Sequence, residues 1–216
     1  MSSQRQPRPC SPAEAVARAL AVVEAEKRLT NPHRYGLGCG DYRAEHPDDP
    51  FTLHARTNTL RCDCSGFLAF CNRLRRKRDG FNVGSWSVVA GYINTDSKIQ
   101  DAQHQRELFT FADRPQLGDV LCWPSIYTGE LEADPKKRRR RGDRERIGHE
   151  SLVVGVERVV EWDPKFPSFD LLDVAQCGSS HRPAIHVSTG AAWSGRDNFR
   201  GQRRPEWAAV LLRLIP

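Results

Sequence analysis

Arg61-Cys62-Asp63-Cys64-Ser65-Gly66-Phe67-Leu68-Ala69-Phe70 is a small polar cluster that runs directly into an apolar segment. Phe67, Leu68, Cys71 and Leu74 recur at helical offsets, the pattern of a core-facing stripe. The spacing predicts a helix from about Ser65 to Arg78, ending at Asp79-Gly80. Cys64 then falls in the first turn, where unpaired backbone N–H groups and the positive end of the helix dipole favour an anion. A thiolate is such an anion, so a lowered thiol pKa and a nucleophilic role are expected there. A lone cysteine beside an apolar run is otherwise a small buried hydrophobe. The nucleophilic reading therefore needs partners elsewhere in the chain.

The first partner is a histidine. Ile147-Gly148-His149-Glu150 opens Ser151-Leu152-Val153-Val154-Gly155-Val156, a β-branched apolar run that reads as a buried strand. A cysteine nucleophile needs an imidazole within hydrogen-bond reach to take its proton and later to protonate the leaving amine. The other histidines stand in weaker contexts: His33, His46 and His54 in Pro- and Asp-rich loop sequence, His104 in a polar stretch, His181 and His186 around Pro183. A third polar group must orient the imidazole. Gln176, near the end of the predicted strand Asp170–Cys177, offers a side-chain oxygen for this. Glu161, Asp173 and His181 remain alternatives.

Length and composition frame these residues. The 216 residues suit one domain, and 38% hydrophobic with 8% aromatic content suffices for a core. No apolar run approaches the length of a membrane span. Residues 1–10 are expected to be a flexible terminus without a signal segment, followed by a single domain over 11–216 that is made in a cytoplasm. Seven cysteines without staple-like spacing read as reduced thiols. Ser11-Pro12-Ala13-Glu14 is a helix start, with serine as cap, proline at the first helical position and glutamate at the third. That helix is expected to run to about Leu29, another to cover 96–107, and strands to dominate from Asp119 to Leu214. Helices first and sheet afterwards, without βαβ alternation, argue for an α+β fold.

The order Tyr35-Gly36-Leu37-Gly38, Asp63-Cys64-Ser65-Gly66-Phe67, Leu117-Gly118-Asp119-Val120 and Gly148-His149 resembles the NlpC-type cysteine peptidase family over roughly residues 30 to 190. The resemblance implies a papain-like α+β fold in which the nucleophile helix packs on an antiparallel sheet. It also implies cleavage of peptide or amide bonds in bacterial peptidoglycan stem peptides, in a phage or bacterial setting and without a metal or organic cofactor. Carried over by position, Cys64 is the nucleophile, His149 the general base and Gln176 the third residue. Tyr35 would help stabilise the oxyanion, and Asp63 and Ser65 would hold the substrate's free amino terminus. An enzyme without a signal segment would need delivery to reach the wall. Departures from the pattern are Glu150, where a small apolar residue is usual and whose carboxylate would raise the imidazole pKa, the cysteines at 39 and 62, and an insertion over about 128–147. Two other functions stay open. One is a metal-binding, nucleic-acid-binding module using Cys39, Cys62, Cys64 and Cys71, which lacks the two-residue ligand spacing of zinc knuckles. The other is the same triad acting as an amidase or acyltransferase on a non-wall substrate.

The formal charge of +6 is localised. Lys136, Lys137, Arg138, Arg139, Arg140, Arg141, Arg144 and Arg146 stand against Asp143 and Glu145, so this segment alone nets +6 and the rest of the chain sums to zero. Such a block reads as a solvated loop or as a site for an anionic polymer such as teichoic acid or lipid headgroups; nucleic acid is not the expected partner. Replacing Arg138 to Arg141 by serine is expected to leave hydrolysis of a small soluble peptide unchanged. Activity on intact walls should fall and lose salt sensitivity, since screening acts on exposed charge. Equal loss on both substrates would place this segment in the active site instead.

Overall fold

The structure, a computed structural model, describes residues 9–76, 93–105, 107–127, 144–146, 148–159, 162, 169–193, 196–197, 203–204 and 209–215. In chain order the elements are α1 (Pro12–Lys27), β1 (Arg34–Tyr35), β2 (Thr52–His54), β3 (Thr59–Cys62), α2 (Cys64–Cys71), α3 (Thr95–Gln100), β4 (Phe109–Phe111), β5 (Val120–Trp123), β6 (Ile126–Tyr127), β7 (Arg144–Arg146), β8 (His149–Gly155), β9 (Asp173–Cys177), β10 (Ile185–Thr189), β11 (Arg196–Asp197), β12 (Arg203–Arg204) and β13 (Val210–Leu214). The fold is α+β. No helix among the described residues is long and apolar enough to cross a membrane.

Local chemistry sets the helix ends. Ser11 and Glu14 form a reciprocal capping box at α1, with Pro12 in the first turn. The residue before the cap already belongs to the core: Cys10 is buried, and its thiol donates to the Cys71 carbonyl at 2.8 Å. Asp63 caps α2, accepting from the Gly66 N–H at 2.7 Å. This helix stops at Cys71, well before the expected Arg78. Arg73 adopts a left-handed conformation (φ 53°), and Arg73 N–H and Leu74 N–H bond back to the Phe70 and Ala69 carbonyls. That is a Schellman stop, built here on arginine rather than glycine. The helix expected over 96–107 is α3, which continues as one π-helical turn, Asp101–Gln105.

The main sheet has six antiparallel strands in the order β10-β9-β8-β5-β13-β4. Both faces of its central strands β5 and β8 are covered, so these read as apolar runs, whereas the edge strands β10 and β4 leave Val187 and Phe111 exposed. Cys122, Leu152, Ala175 and Cys177 join α1 and α2 in one core; Leu121, Val153 and Val174 join Phe169 and Trp193 in another. A second sheet, β1-β3-β2, occupies the stretch expected to be loop, with Tyr35 beside Cys62 in parallel register. Asp119 of the Gly118-Asp119 pair serves the scaffold: its carboxylate binds the Arg213 guanidinium and caps the turn at Gln116. Most of the basic insertion, including Arg138 to Arg141, lies outside the described residues; Arg144–Arg146 pairs with β6.

Gly66 of the quoted stretch has a steric cause. A methyl group there would collide with the Cys39 carbonyl oxygen and come within 2.6 Å of the Gly40 carbonyl oxygen, both backbone atoms of the loop crossing the helix start. Gly66→Ala is therefore expected to cost about 1–3 kcal/mol as an overpacking substitution. Urea unfolding would read this as a lowered midpoint at unchanged slope. An unshifted midpoint would mean that the loop does not press on the helix.

Candidate active site

Three elements converge on Cys64. It is the first residue of α2, directly after the Asp63 cap, and is 4% exposed. The parallel pairing of β1 with β3 sets Tyr35 beside Cys62, and its phenol lies close enough to Cys64 for the two groups to act on each other's ionisation. Burial, then the neighbouring Cys64 and Asp63, push the Tyr35 phenol up, so it stays protonated and able to donate. Ser65 Oγ lies 3.9 Å from its sulfur, and the Glu150 carboxylate of β8 is among the charges that act on the thiol.

The expected low thiol pKa is overturned. Burial first, then the Asp63 and Glu150 carboxylates, push Cys64 up to about 12; the Glu150 N–H and Ser65 only partly offset this. The start of a two-turn helix contributes roughly half a charge, which is too little against desolvation plus two nearby anions. At neutral pH the group is a thiol.

His149 is the first residue of β8, opposite Trp123 of β5. Its Nε2 lies 2.9 Å from Gln176 Oε1, and Gln176 Nε2 donates to Ser188 Oγ at 2.7 Å. Because Gln176 offers only an acceptor at that atom, the contact assigns the ring proton to Nε2. The imidazole stacks on buried Trp193, with centroids 5.4 Å apart and planes 15° apart, and Trp193 in turn stacks on Trp123 at 4.4 Å. Of the alternatives to Gln176, Asp173 pairs with Arg158 at 2.7 Å and His181 stacks on His186. Glu161 lies outside the described residues.

Asp63 is not arranged as the resemblance implies. It is 1% exposed, and its oxygens accept from Gly66 N–H, from Gly38 N–H at 2.6 Å and from the Arg76 guanidinium at 3.0 and 3.2 Å. Burial raises its pKa, while Arg76 and the two N–H groups act the other way. The carboxylate is a structural clamp with no face left for a substrate amine. Glu150 also departs from expectation. It is fully buried and paired with Lys98 at 2.7 Å, so its charge bears on the thiol from the side of the sheet opposite the imidazole. Lys98, Arg76, Trp193 and Trp123 had no sequence signal, because none belongs to a spacing pattern.

The four cysteines of the metal-site alternative have separate surroundings. Cys71 accepts at its carbonyl from Cys10, Cys62 donates to the Asp63 carbonyl at 3.4 Å, the Cys39 carbonyl accepts from Arg76, and Cys64 lies beside Ser65. Among the described residues no group of three or more His, Cys, Asp or Glu is arranged to hold a metal ion. No family model, curated protein or solved structure matches this chain.

A thiol raised this far should show no Cys64-specific thiolate signal below about pH 9, well under its raised pKa. The difference in ultraviolet thiolate absorbance between wild type and Cys64→Ser measures this directly. A difference signal already developed at pH 7 would show that burial and the two carboxylates do not hold the group protonated.

Proposed function

We propose that the chain is a cysteine hydrolase of the NlpC type, with a papain-like arrangement, cleaving amide bonds in peptidoglycan stem peptides. The observation that carries this reading is the 2.9 Å contact between His149, the first residue of β8, and Gln176 of the neighbouring strand β9, beside a cysteine at the start of α2. A cysteine at a helix start, a histidine at a strand start and an amide acceptor on the neighbouring strand are the three parts that nucleophilic amide hydrolysis requires.

The imidazole rests on the Trp193 side of the sheet and Cys64 on the α2 side, so the reaction requires the ring to be brought to the sulfur, and Nδ1, the nitrogen not bonded to Gln176, would then exchange the proton. As Cys64 Sγ attacks the scissile carbonyl carbon, its proton passes to Nδ1, and the resulting imidazolium is stabilised by Gln176 Oε1. Negative charge builds on the carbonyl oxygen, toward the N–H groups of the first turn of α2 and the Tyr35 hydroxyl. Collapse breaks the C–N bond, and the imidazolium proton goes to the leaving amine. Water then attacks the thioester with its proton going to Nδ1, and the sulfur leaves and is reprotonated. Because the resting group is a thiol, proton transfer to His149 belongs to the attack step itself.

The clamped state of Asp63 favours one qualification of substrate. Without a carboxylate open to a free ammonium, recognition would not rest on the substrate's amino terminus at this position, which keeps the non-wall amidase or acyltransferase reading in play. Digestion of purified walls, with fragments identified by mass spectrometry, separates the two. New amino and carboxyl ends within the stem peptide are expected with wild type and absent with Cys64→Ser. His149→Ala should lose about 10²–10⁴-fold in rate, the usual weight of a general base, and Gln176→Ala distinctly less. Intact walls after prolonged digestion would exclude the stem peptide as substrate.

A further inference from the structure

A cleft of about 650 Å³ opens between α1 and the loop that precedes β2, and it shares no residue with the Cys64 site. That volume is typical of a small-ligand site. Its walls are mostly apolar: Ala17, Ala21 and Ala25 of α1, with Phe51, Leu60 and Phe70 from the elements packed beside it. The three alanines are exposed, as are Leu29 and Leu60, so α1 presents apolar surface where an outward helix face ordinarily carries polar side chains. The polar groups of the cleft differ in what they have left to offer. Glu26 is 2% exposed and both of its oxygens are taken by His33, Oε1 at 2.7 Å from Nδ1 and Oε2 accepting the backbone N–H at 2.9 Å. Asp49 accepts from Arg43 and from the Phe51 N–H, and Asp48 is exposed. Arg18 is part-buried; its Nε donates to the Phe70 carbonyl at 3.3 Å and its Nη2 to the Pro47 carbonyl at 2.7 Å, with the guanidinium 4.2 Å from the centre of the Phe70 ring. These contacts fix the plane of the group. Among the described residues Nη1 has no acceptor, and no carboxylate lies within ion-pair distance of Arg18.

We propose that this cleft binds a small apolar carboxylic acid, with its carboxylate on Arg18 and its hydrocarbon body along Ala21 and Ala25 toward Phe51. A planar guanidinium already oriented by two carbonyls is suited to a carboxylate, and little ordering remains to be done when the ligand arrives. Arg18 and Glu26 stand eight residues apart, about 12 Å along the helix, so the body has roughly two turns of wall to lie on. A neutral ligand that excluded water would leave the free donors of Arg18 unmet. An amine would meet the Arg18 charge, while Glu26 and Asp49 are already bound and Asp48 acts through water, where charge is screened. The site stands independently of the reading of Cys64.

Calorimetric titration of the full chain with octanoate, octan-1-ol and octylamine, three probes with one tail and different head groups, tests the assignment. Octanoate should bind at a single site about tenfold more tightly than octan-1-ol, the scale of one hydrogen bond to a charged group, and octylamine should bind more weakly than either. Ala21→Phe fills the cleft from an exposed helix position and should abolish octanoate binding. Arg18→Met removes the charge and should bring octanoate down to the level of octan-1-ol. Should loss of the two carbonyl bonds prevent Arg18→Met from folding, the head-group comparison in wild type and the Ala21→Phe variant still decide. Equal affinity for octanoate and octan-1-ol, a preference for octylamine, unaltered binding by Ala21→Phe, or no binding of any probe at millimolar concentration overturns the proposal. A wild-type dimer in sedimentation velocity that Ala21→Phe converts to monomer would assign the cleft to a second copy and overturns it equally. Neither measurement reads wall cleavage, so failure here is distinct from failure of the wall-digestion experiment.

Discussion

The buried Asp63 carboxylate organises the half of the molecule that presents Cys64. With its two oxygens it caps α2 through Gly66, holds the loop at Gly38 and receives the Arg76 guanidinium, which also donates to the Cys39 and Gly40 carbonyls. Three segments distant in sequence are thereby tied at one point directly before Cys64. An uncompensated carboxylate at this depth would be strongly destabilising, whereas one with four donors is satisfied. Gly66 is the steric counterpart of this clamp, because the loop carbonyls drawn in by Arg76 lie where any side chain at that position would go.

The same carboxylate acts on the chemistry. A helix start is ordinarily a place to stabilise a thiolate, yet here the residue needed to start the helix is itself an anion, and a second anion, Glu150, arrives from the sheet. Desolvation multiplies both effects, since charges interact more strongly away from water. The geometry that places Cys64 at the helix start therefore also holds it protonated.

Legibility in the sequence followed the range of the interactions. The α1 capping box was readable because its two residues lie three apart, and the position of Cys64 because cap and apolar stripe adjoin it. Gln176 could be named as the third residue from its place near a strand end, and the structure sets it against His149 rather than Asp173 or His181. The end of α2 was not readable, since arginine carries no signal for the left-handed conformation Arg73 adopts. The β1-β3-β2 sheet was missed because strands of two to four residues are too short to show a period. The thiol pKa and the Lys98–Glu150 pair depend on burial across 52 positions of chain, which no local pattern encodes.

Two ion pairs, Asp63–Arg76 and Glu150–Lys98, bracket the sulfur, and in each it is the carboxylate rather than the cation that acts most strongly on Cys64. The imidazole lies in a different environment, stacked on Trp193 and bonded to Gln176, which Ser188 holds in turn. On the α2 side the sheet supplies charge and fixes the state of the nucleophile. On the other side it supplies neutral hydrogen bonds and aromatic faces, which orient the ring without fixing its charge. Were His149 the base of the proposed hydrolysis, such neutral partners would serve it better than a carboxylate, because a buried carboxylate at Nε2 would favour the imidazolium at every stage. On the proposed reading, acid groups around the sulfur hold Cys64 as a thiol, and the imidazole Nε2 is set against an uncharged amide.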